Sequence, residues 1–405
     1  MRYPTQLLVI PFAMGLAAPA ALVAQEAENT PVSVRWNRLV QALVDQSATR
    51  RRATRAYALA AGDSAAARRI AQTPEPFIFT IHTLLAVAQY NAIGSAKNTS
   101  GVSARVAAAS ASAAVLTEMF KDSAVRASIA EELARDIGRA GETQKTLAAK
   151  TLGDDVARRV IATAPKFSMF APWSGTIPKG PGMWYSAPGL PPIGINLASA
   201  RGWLLDSASE FRPAPPPAFG SPAWNAALAE VQRVAKERTR EQTAVAQKWN
   251  SGDPWTVWNE KASDAIRRHR MSELDAARVL AVLNVAASDA IIACFEAKYH
   301  YWSIRPSQAD TTLALADSVE LPNFPSFPSG HACSAGAFER VLVHFFPAER
   351  AQFTATAEEQ AMSRLYGGIH YRFDNDGGLA LGRVVAQHAI DRERRGGLTA
   401  RTLKP

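Results

Sequence analysis

Three short stretches in the last third of the chain hold residue types that could do chemistry on an anion. The first supplies Lys298 and Arg305-Pro306, the second Pro328-Ser329-Gly330-His331, and the third Ser363-Arg364 followed by His370 and Asp374. Together they offer three cations, a serine hydroxyl, a glycine amide and two histidines. Such a set can surround a tetrahedral or trigonal-bipyramidal anion, balance its charge and move protons around it. One stretch of this kind is common in any protein. All three, in this order and within eighty residues, specify a single site.

Each stretch has a plain reading beside the chemical one. Lys298 and Arg305 lie seven apart, two turns if one helix persists, and Pro306 ends that helix. They could equally be unrelated cations at a helix end, where the dipole favours positive charge. Pro328-Ser329-Gly330-His331 precedes a helix. There, amides at the open end and a residue with no Cβ make an anion pocket, with His331 on the first turn. The plain reading is a capped helix with an incidental histidine. Between Arg364 and His370 stand Gly367 and Gly368, which end a helix and turn the chain. Asp374, four residues after His370, can accept one ring N–H, fix the tautomer and leave the other nitrogen free to attack or ligate. The alternative there is a hydrogen-bonded core histidine. The joint pattern favours the chemical reading for all three.

Positioning such a site requires a framework, and the sequence reads as helical. Residues 1–24 start with Arg2, run apolar from 7 to 24 through Pro11, Gly15 and Pro19, and meet Glu26 just beyond. That describes an export signal, with a membrane anchor as the alternative. From 25 to 165 apolar residues recur three and four apart, as at Trp36, Leu39, Val40 and Leu43, which predicts five or six amphipathic helices. Residues 166–222 are rich in proline, including Pro188, Pro191 and Pro192, and are interleaved with Trp173, Trp184, Tyr185 and Trp203. The prolines forbid long helices, while the aromatics predict an ordered connection. From 223 to 400 helices return. One is expected over 226–249, one from 272 to about 301, one after Pro328 to about 344, one over 349–367, and one over 374–391. The stretch 310–328 reads as a loop. No internal repeat or strand pattern is evident, so the fold class is all-α.

The net charge is +9, which suits an anionic substrate, an acidic surface or nucleic acid. No recognition-helix signature, zinc spacing or long basic run supports nucleic acid. No spanning segment is expected in the mature chain, and a homo-oligomer is compatible with the sequence. Cys294 and Cys333 flank the motifs; they could pair, though two buried thiols are expected. Among the other histidines, His82 and His344 read as core, His269 as surface, His388 as structural and His300 as a candidate for the mouth of the site. Trp302, Phe324 and Phe327 could wall a pocket or simply pack.

The series Lys-x6-Arg-Pro, Pro-Ser-Gly-His and Ser-Arg-x5-His-x3-Asp resembles the superfamily shared by vanadium-dependent haloperoxidases, bacterial non-specific acid phosphatases and type 2 phosphatidic acid phosphatases. The resemblance covers about 289–383, and the sequence around Lys298 and His370 is similar to the bacterial haloperoxidase-like branch. It implies a helical bundle in which Lys298, Arg305, Ser329, Gly330 and Arg364 hold vanadate or phosphate. His370 would be the apical vanadate ligand or the phosphatase nucleophile, His331 the acid/base and Asp374 the group that orients His370. The implied cofactor is vanadate, with hydrogen peroxide and halide as substrates. The alternative is an exported acid phosphatase acting on phosphate monoesters through a phosphohistidine, and a weaker one is a non-catalytic oxyanion-binding protein. Export implies a periplasmic or secreted location.

Overall fold

The computed structural model describes residues 30–61, 63, 78–141, 143–166, 169–170 and 172–398; the expected leader at 1–24 lies outside them. Among the described residues of the N-terminal half there are five helices, namely α1 (Val32–Ala60), α2 (Ile78–Lys97), α3 (Ala104–Met119), α4 (Ser123–Ala140) and α5 (Gln144–Thr163). Eight more follow the connection: α6 (Pro222–Glu237), α7 (Arg240–Ser251), α8 (Pro254–Arg268), α9 (Glu273–Tyr301), α10 (Pro306–Ala309), α11 (Gly330–Phe345), α12 (Arg350–Tyr366) and α13 (Arg372–Arg394). The described residues contain no strand, only an isolated antiparallel bridge between Met183 and Ser303.

Local chemistry sets the helix boundaries. Ser103, Asp122, Thr143, Ser221, Asp253 and Ser272 each turn a side-chain oxygen toward a first-turn amide, satisfying donors that a helix start leaves free. The single helix expected over 226–249 is two. Thr239 and Gln242 cap each other reciprocally, a stronger start signal than the surrounding periodicity, and Arg238 leaves the helix to donate from Nε to the Tyr366 carbonyl at 2.7 Å.

Helix α9 is the axis of the molecule. It is long and apolar enough to cross a membrane, yet it lies inside the protein with nearly all of its residues from Ala276 to Tyr299 buried. α2, α11 and α13 pack around it, and one continuous apolar core runs from Val32 in α1 to Leu398 after α13. Polar anchors on α9 tie down the flanking chain. Glu273 accepts from the amides of Val32 and Ser33 at 2.7 and 2.9 Å. Buried Asp289 accepts from the amides of Trp203 and Leu204 at 2.7 and 2.8 Å, which fixes the proline-rich connection onto the bundle. That connection is ordered where it meets the core: Trp184 donates to the Trp302 carbonyl at 2.7 Å and Ile304 donates to that of Gly182 at 2.9 Å.

α11 and α13 pack closely through glycines; the second motif opens α11, and the third ends at Asp374 in the first turn of α13. A Cβ at Gly336 would overlap the Leu379 backbone, and one at Gly382 would overlap the Cys333 carbonyl. Alanine at Gly382 gains helix propensity worth up to about 1 kcal/mol, but the overlap is with backbone and cannot be relieved by a side-chain rotation. Gly382→Ala is therefore expected to lower unfolding free energy by about 1–3 kcal/mol and to reduce activity by moving Ser329 relative to Asp374. Denaturant titration checks the first effect; a variant as stable as the parent would contradict it.

Candidate active site

The expected convergence of Lys298 and Arg305 is observed, but not for the expected reason. α9 stops at Tyr301, and Trp302 adopts a left-handed conformation (φ 50°) with its amide closing on the Lys298 carbonyl at 2.9 Å. The chain then reverses, so Arg305 lies beyond the helix and caps α10. Instead, the two cations meet on the segment 324–326. Lys298 Nζ donates to the carbonyls of Pro325 and Ser326, both at 2.8 Å. Arg305 Nε donates to the Phe324 carbonyl at 2.9 Å, and Nη1 donates to that of Ile369 at 2.8 Å. Both lie over the Phe324 ring, 5.1 and 5.0 Å from its centroid. Of the three aromatics proposed as walls, Phe324 thus serves the cations, Phe327 is buried against Tyr301 and Phe373, and Trp302 packs on Trp173 and Trp184.

Ser329 caps α11 and Gly330 is its first residue. The Ser329 amide donates to the Asp374 carbonyl at 2.9 Å, which locks the start of α11 to the start of α13. Its hydroxyl is buried and has no partner. A Cβ built on Gly330 would meet nothing within 4 Å. The glycine therefore leaves open space in front of the first α11 amides, which by position have no intrahelical acceptor. Open space of this kind at Gly330 suits the role expected of it, a residue without a Cβ at the mouth of an anion pocket.

The third motif folds as read. α12 ends at Tyr366, Gly368 takes φ 80°, and Ile369 closes the turn by donating to the Arg364 carbonyl at 3.2 Å. His370 Nδ1 lies 2.9 Å from Asp374 Oδ2, so the carboxylate places the ring hydrogen there. Nε2 is then a lone pair and accepts from Arg305 Nη1 at 3.2 Å. Asp374 Oδ2 also accepts from Ser326 Oγ at 2.5 Å and the Tyr371 amide at 3.1 Å. Arg364 is 4% exposed, and its Nη1 is buried without a partner.

His331 is partly exposed, and its Nε2 sits 3.1 Å from the Trp249 carbonyl. A carbonyl can only accept, so Nε2 carries the hydrogen and Nδ1 the lone pair. Burial, then the cationic neighbours, hold both histidines well below the usual imidazole range. For His331 these neighbours are Arg364 and Lys298, and for His370 they are Arg305, Lys298 and Arg364. Burial also lowers Lys298 to about 8, Arg305 to about 9 and Arg364 to about 10, while it raises Asp374 to about 6. Burial is the first cause of every one of these shifts; the neighbouring cations add to it at the two histidines and oppose it at Asp374.

Three groups at the site were not singled out from the sequence. Ser326 and Gln360, the latter donating to the His331 carbonyl at 2.8 Å, are wholly buried, and the Trp249 carbonyl comes from α7, far away in sequence. Only Ser326 left a trace, as a second Pro-Ser pair just before the motif. Elsewhere, His82 is buried and bonded to Asn37, His269 is exposed beside Glu349, and His388 bonds the Leu204 carbonyl. His300 is exposed and packs edge-on against Tyr301. His344 is half-buried beside Arg394 rather than core. Cys294 and Cys333 are buried free thiols.

Comparison with known proteins agrees with this arrangement. Residues 278–394 match the sequence profile of the PAP2 superfamily. Over about four fifths of the chain the fold is similar to that of bacterial vanadium-dependent haloperoxidases. A vanadium-dependent iodoperoxidase superposes with a TM-score of 0.65 at 24% identity, covering 78% of this chain and 90% of that one. An apo-type vanadium-dependent chloroperoxidase superposes with a TM-score of 0.63 at 13% identity, covering 80% and 95%. In sequence, lipid A 1-phosphatase of Rhizobium etli is 44% identical over 59 residues, 15% of this chain and 25% of that protein. The Rhizobium johnstonii enzyme of the same name is 44% identical over 59 residues and 24% of its length. The match thus spans about a quarter of these relatives.

Leaving Arg364 without a counter-ion costs stability that an anion would restore. Arg364→Met is expected to raise the unfolding free energy of the anion-free protein by about 1–4 kcal/mol. Phosphate at a hundred times its dissociation constant should stabilise the parent by about 2.7 kcal/mol and the variant far less. Melting curves with and without phosphate measure both, and an equal phosphate effect in the two proteins would contradict the placement of Arg364.

Proposed function

We propose that the protein is a vanadate-dependent haloperoxidase-like enzyme that oxidises halide with hydrogen peroxide. The observation that carries this reading is His370. It is buried and neutral, its hydrogen is held on Nδ1 by Asp374, and its Nε2 lone pair lies within an arc of cationic donors. The donor set fits a tetrahedral oxyanion: the unpartnered Ser329 hydroxyl, the unpartnered Arg364 Nη1 and the open space over Gly330 all await acceptor oxygens.

In this proposal Lys298, Arg305, Arg364, Ser329 and the Gly330 amide hold vanadate, and His370 Nε2 ligates it. When bound, vanadate supplies the Lewis acidity by which peroxide is activated toward halide. The residues of the chain supply the rest. The cations balance charge through short, charge-assisted bonds. His331 takes and returns a proton at Nδ1, and a bound anion would raise its pKa toward neutrality from its depressed value. The likeness of fold supports the peroxidase branch because it covers 78–80% of this chain, against 15% for the phosphatase likeness.

The stretch shared with the lipid A 1-phosphatases favours a second reading, a phosphomonoesterase. There His370 Nε2 would form a bond to phosphorus as the ester P–O bond breaks, and His331 would protonate the leaving oxygen. Water would then release phosphate from the histidine. Export to the periplasm or medium is part of the proposal.

One preparation assayed both ways distinguishes these chemistries. Dye halogenation with vanadate, peroxide and bromide or iodide is the expected activity; hydrolysis of p-nitrophenyl phosphate without halogenation would select the second reading. His370→Ala is expected to abolish either activity. His331→Ala is expected to retain oxyanion binding and lose roughly 10²–10⁴-fold in rate. Equal loss of vanadate affinity in the two variants would overturn their assigned roles.

A further inference from the structure

Ser326 is wholly buried and uses every polar group it has. Its amide donates to the Ser303 carbonyl at 2.9 Å, its carbonyl accepts from Lys298 Nζ at 2.8 Å, and its hydroxyl donates to Asp374 Oδ2 at 2.5 Å. Asp374 is held through that one oxygen, because Oδ1 is buried with no partner. The other donors to Oδ2 are His370 Nδ1 and the Tyr371 amide, at 2.9 and 3.1 Å. One of these is the group being oriented, and the other belongs to the same short segment. Among the described residues, Ser326 is thus the donor that ties the Asp374 carboxylate to the rest of the site.

We propose that Ser326 is a positioning residue for His370 and acts through Asp374. Its hydroxyl stops the carboxylate from rotating, which keeps the His370 hydrogen on Nδ1 and the Nε2 lone pair turned toward the cationic donors. This inference rests on the reading of the pocket as an oxyanion site with His370 as its ligating group. It assigns the hydroxyl a task distinct from that of the Ser326 backbone, which braces Lys298. Groups placed one bond behind a ligating histidine commonly change affinity or rate by about 10–100-fold when removed.

The test is a double-mutant cycle on the full chain. Ser326→Ala leaves the backbone amide and carbonyl in place and removes only the hydroxyl. Vanadate binding is measured by titration calorimetry for the parent, Ser326→Ala, Asp374→Asn and the double variant, with melting temperatures as a control on folding. Ser326→Ala is expected to weaken vanadate binding roughly tenfold in the parent and less than about twofold in the Asp374→Asn background, because residues acting in series are not additive. The same loss in both backgrounds, or no loss in the parent, overturns the proposal. If the parent binds neither vanadate nor phosphate, the oxyanion reading itself has failed, and nuclear magnetic resonance of the His370 ring still decides on Ser326. Its Nδ1 hydrogen should exchange with solvent faster in Ser326→Ala than in the parent; an unchanged exchange rate overturns the proposal.

Discussion

Burying three cations around one point is the constraint on which the rest of this structure depends. Lys298 and Arg305 are wholly buried and Arg364 nearly so, and taking one unpaired ion out of water costs several kcal/mol. Among the described residues, no carboxylate is paired directly with any of them. The fold answers with backbone carbonyls: Phe324, Pro325 and Ser326 turn theirs inward, and Ile369 adds a fourth. That demand explains the irregular path of 302–328, which forms no helix beyond the single turn of α10. It also explains why α9 must be central, since Lys298 can reach those carbonyls only from a rigid and buried backbone. The compensation is incomplete, and Arg364 Nη1 and Ser329 Oγ remain without partners. In the proposed function an anion supplies the missing acceptors.

Two histidines face this pocket with their hydrogens on opposite nitrogens. Asp374 keeps the His370 hydrogen on Nδ1, and the Trp249 carbonyl keeps the His331 hydrogen on Nε2. The former leaves Nε2 as a ligand or nucleophile, the latter leaves Nδ1 as a proton acceptor. Because the cations already depress both pKa values, an arriving anion changes the protonation chemistry of the site as well as its stability. In the proposed function, binding and proton transfer are coupled through charge.

The sequence disclosed the residues of the site better than the geometry that unites them. Lys298, Arg305, Ser329, Gly330, Arg364, His370, His331 and Asp374 could all be named as candidates, because glycines, prolines and charged groups in an apolar helical chain stand out by type and spacing. Helix ends were legible for the same reason, as at Gly367–Gly368. Arg305 was placed in the right pocket by the wrong route, since periodicity gives no sign that Trp302 reverses the chain. Ser326, Gln360 and the Trp249 carbonyl were hidden. Serine and glutamine are ordinary in sequence, and a carbonyl has no signature at all. What fixes their importance is contact between segments tens of residues apart. The break at Arg238–Thr239 was missed because a capping box competes with an apolar period that continues across it.

The central claim is that all three motifs converge on one anion. It is tested most directly by titrating vanadate into the protein at rising phosphate concentrations and following bound vanadium by nuclear magnetic resonance. Cationic and hydrogen-bonding donors do not distinguish a phosphorus centre from a vanadium one, so the two anions should exclude each other. The apparent dissociation constant for vanadate is expected to rise in proportion to phosphate with no change in the amount bound at saturation. Vanadate binding unaffected by a large excess of phosphate would show that Lys298, Arg305, Ser329, Arg364 and His370 do not form one cage.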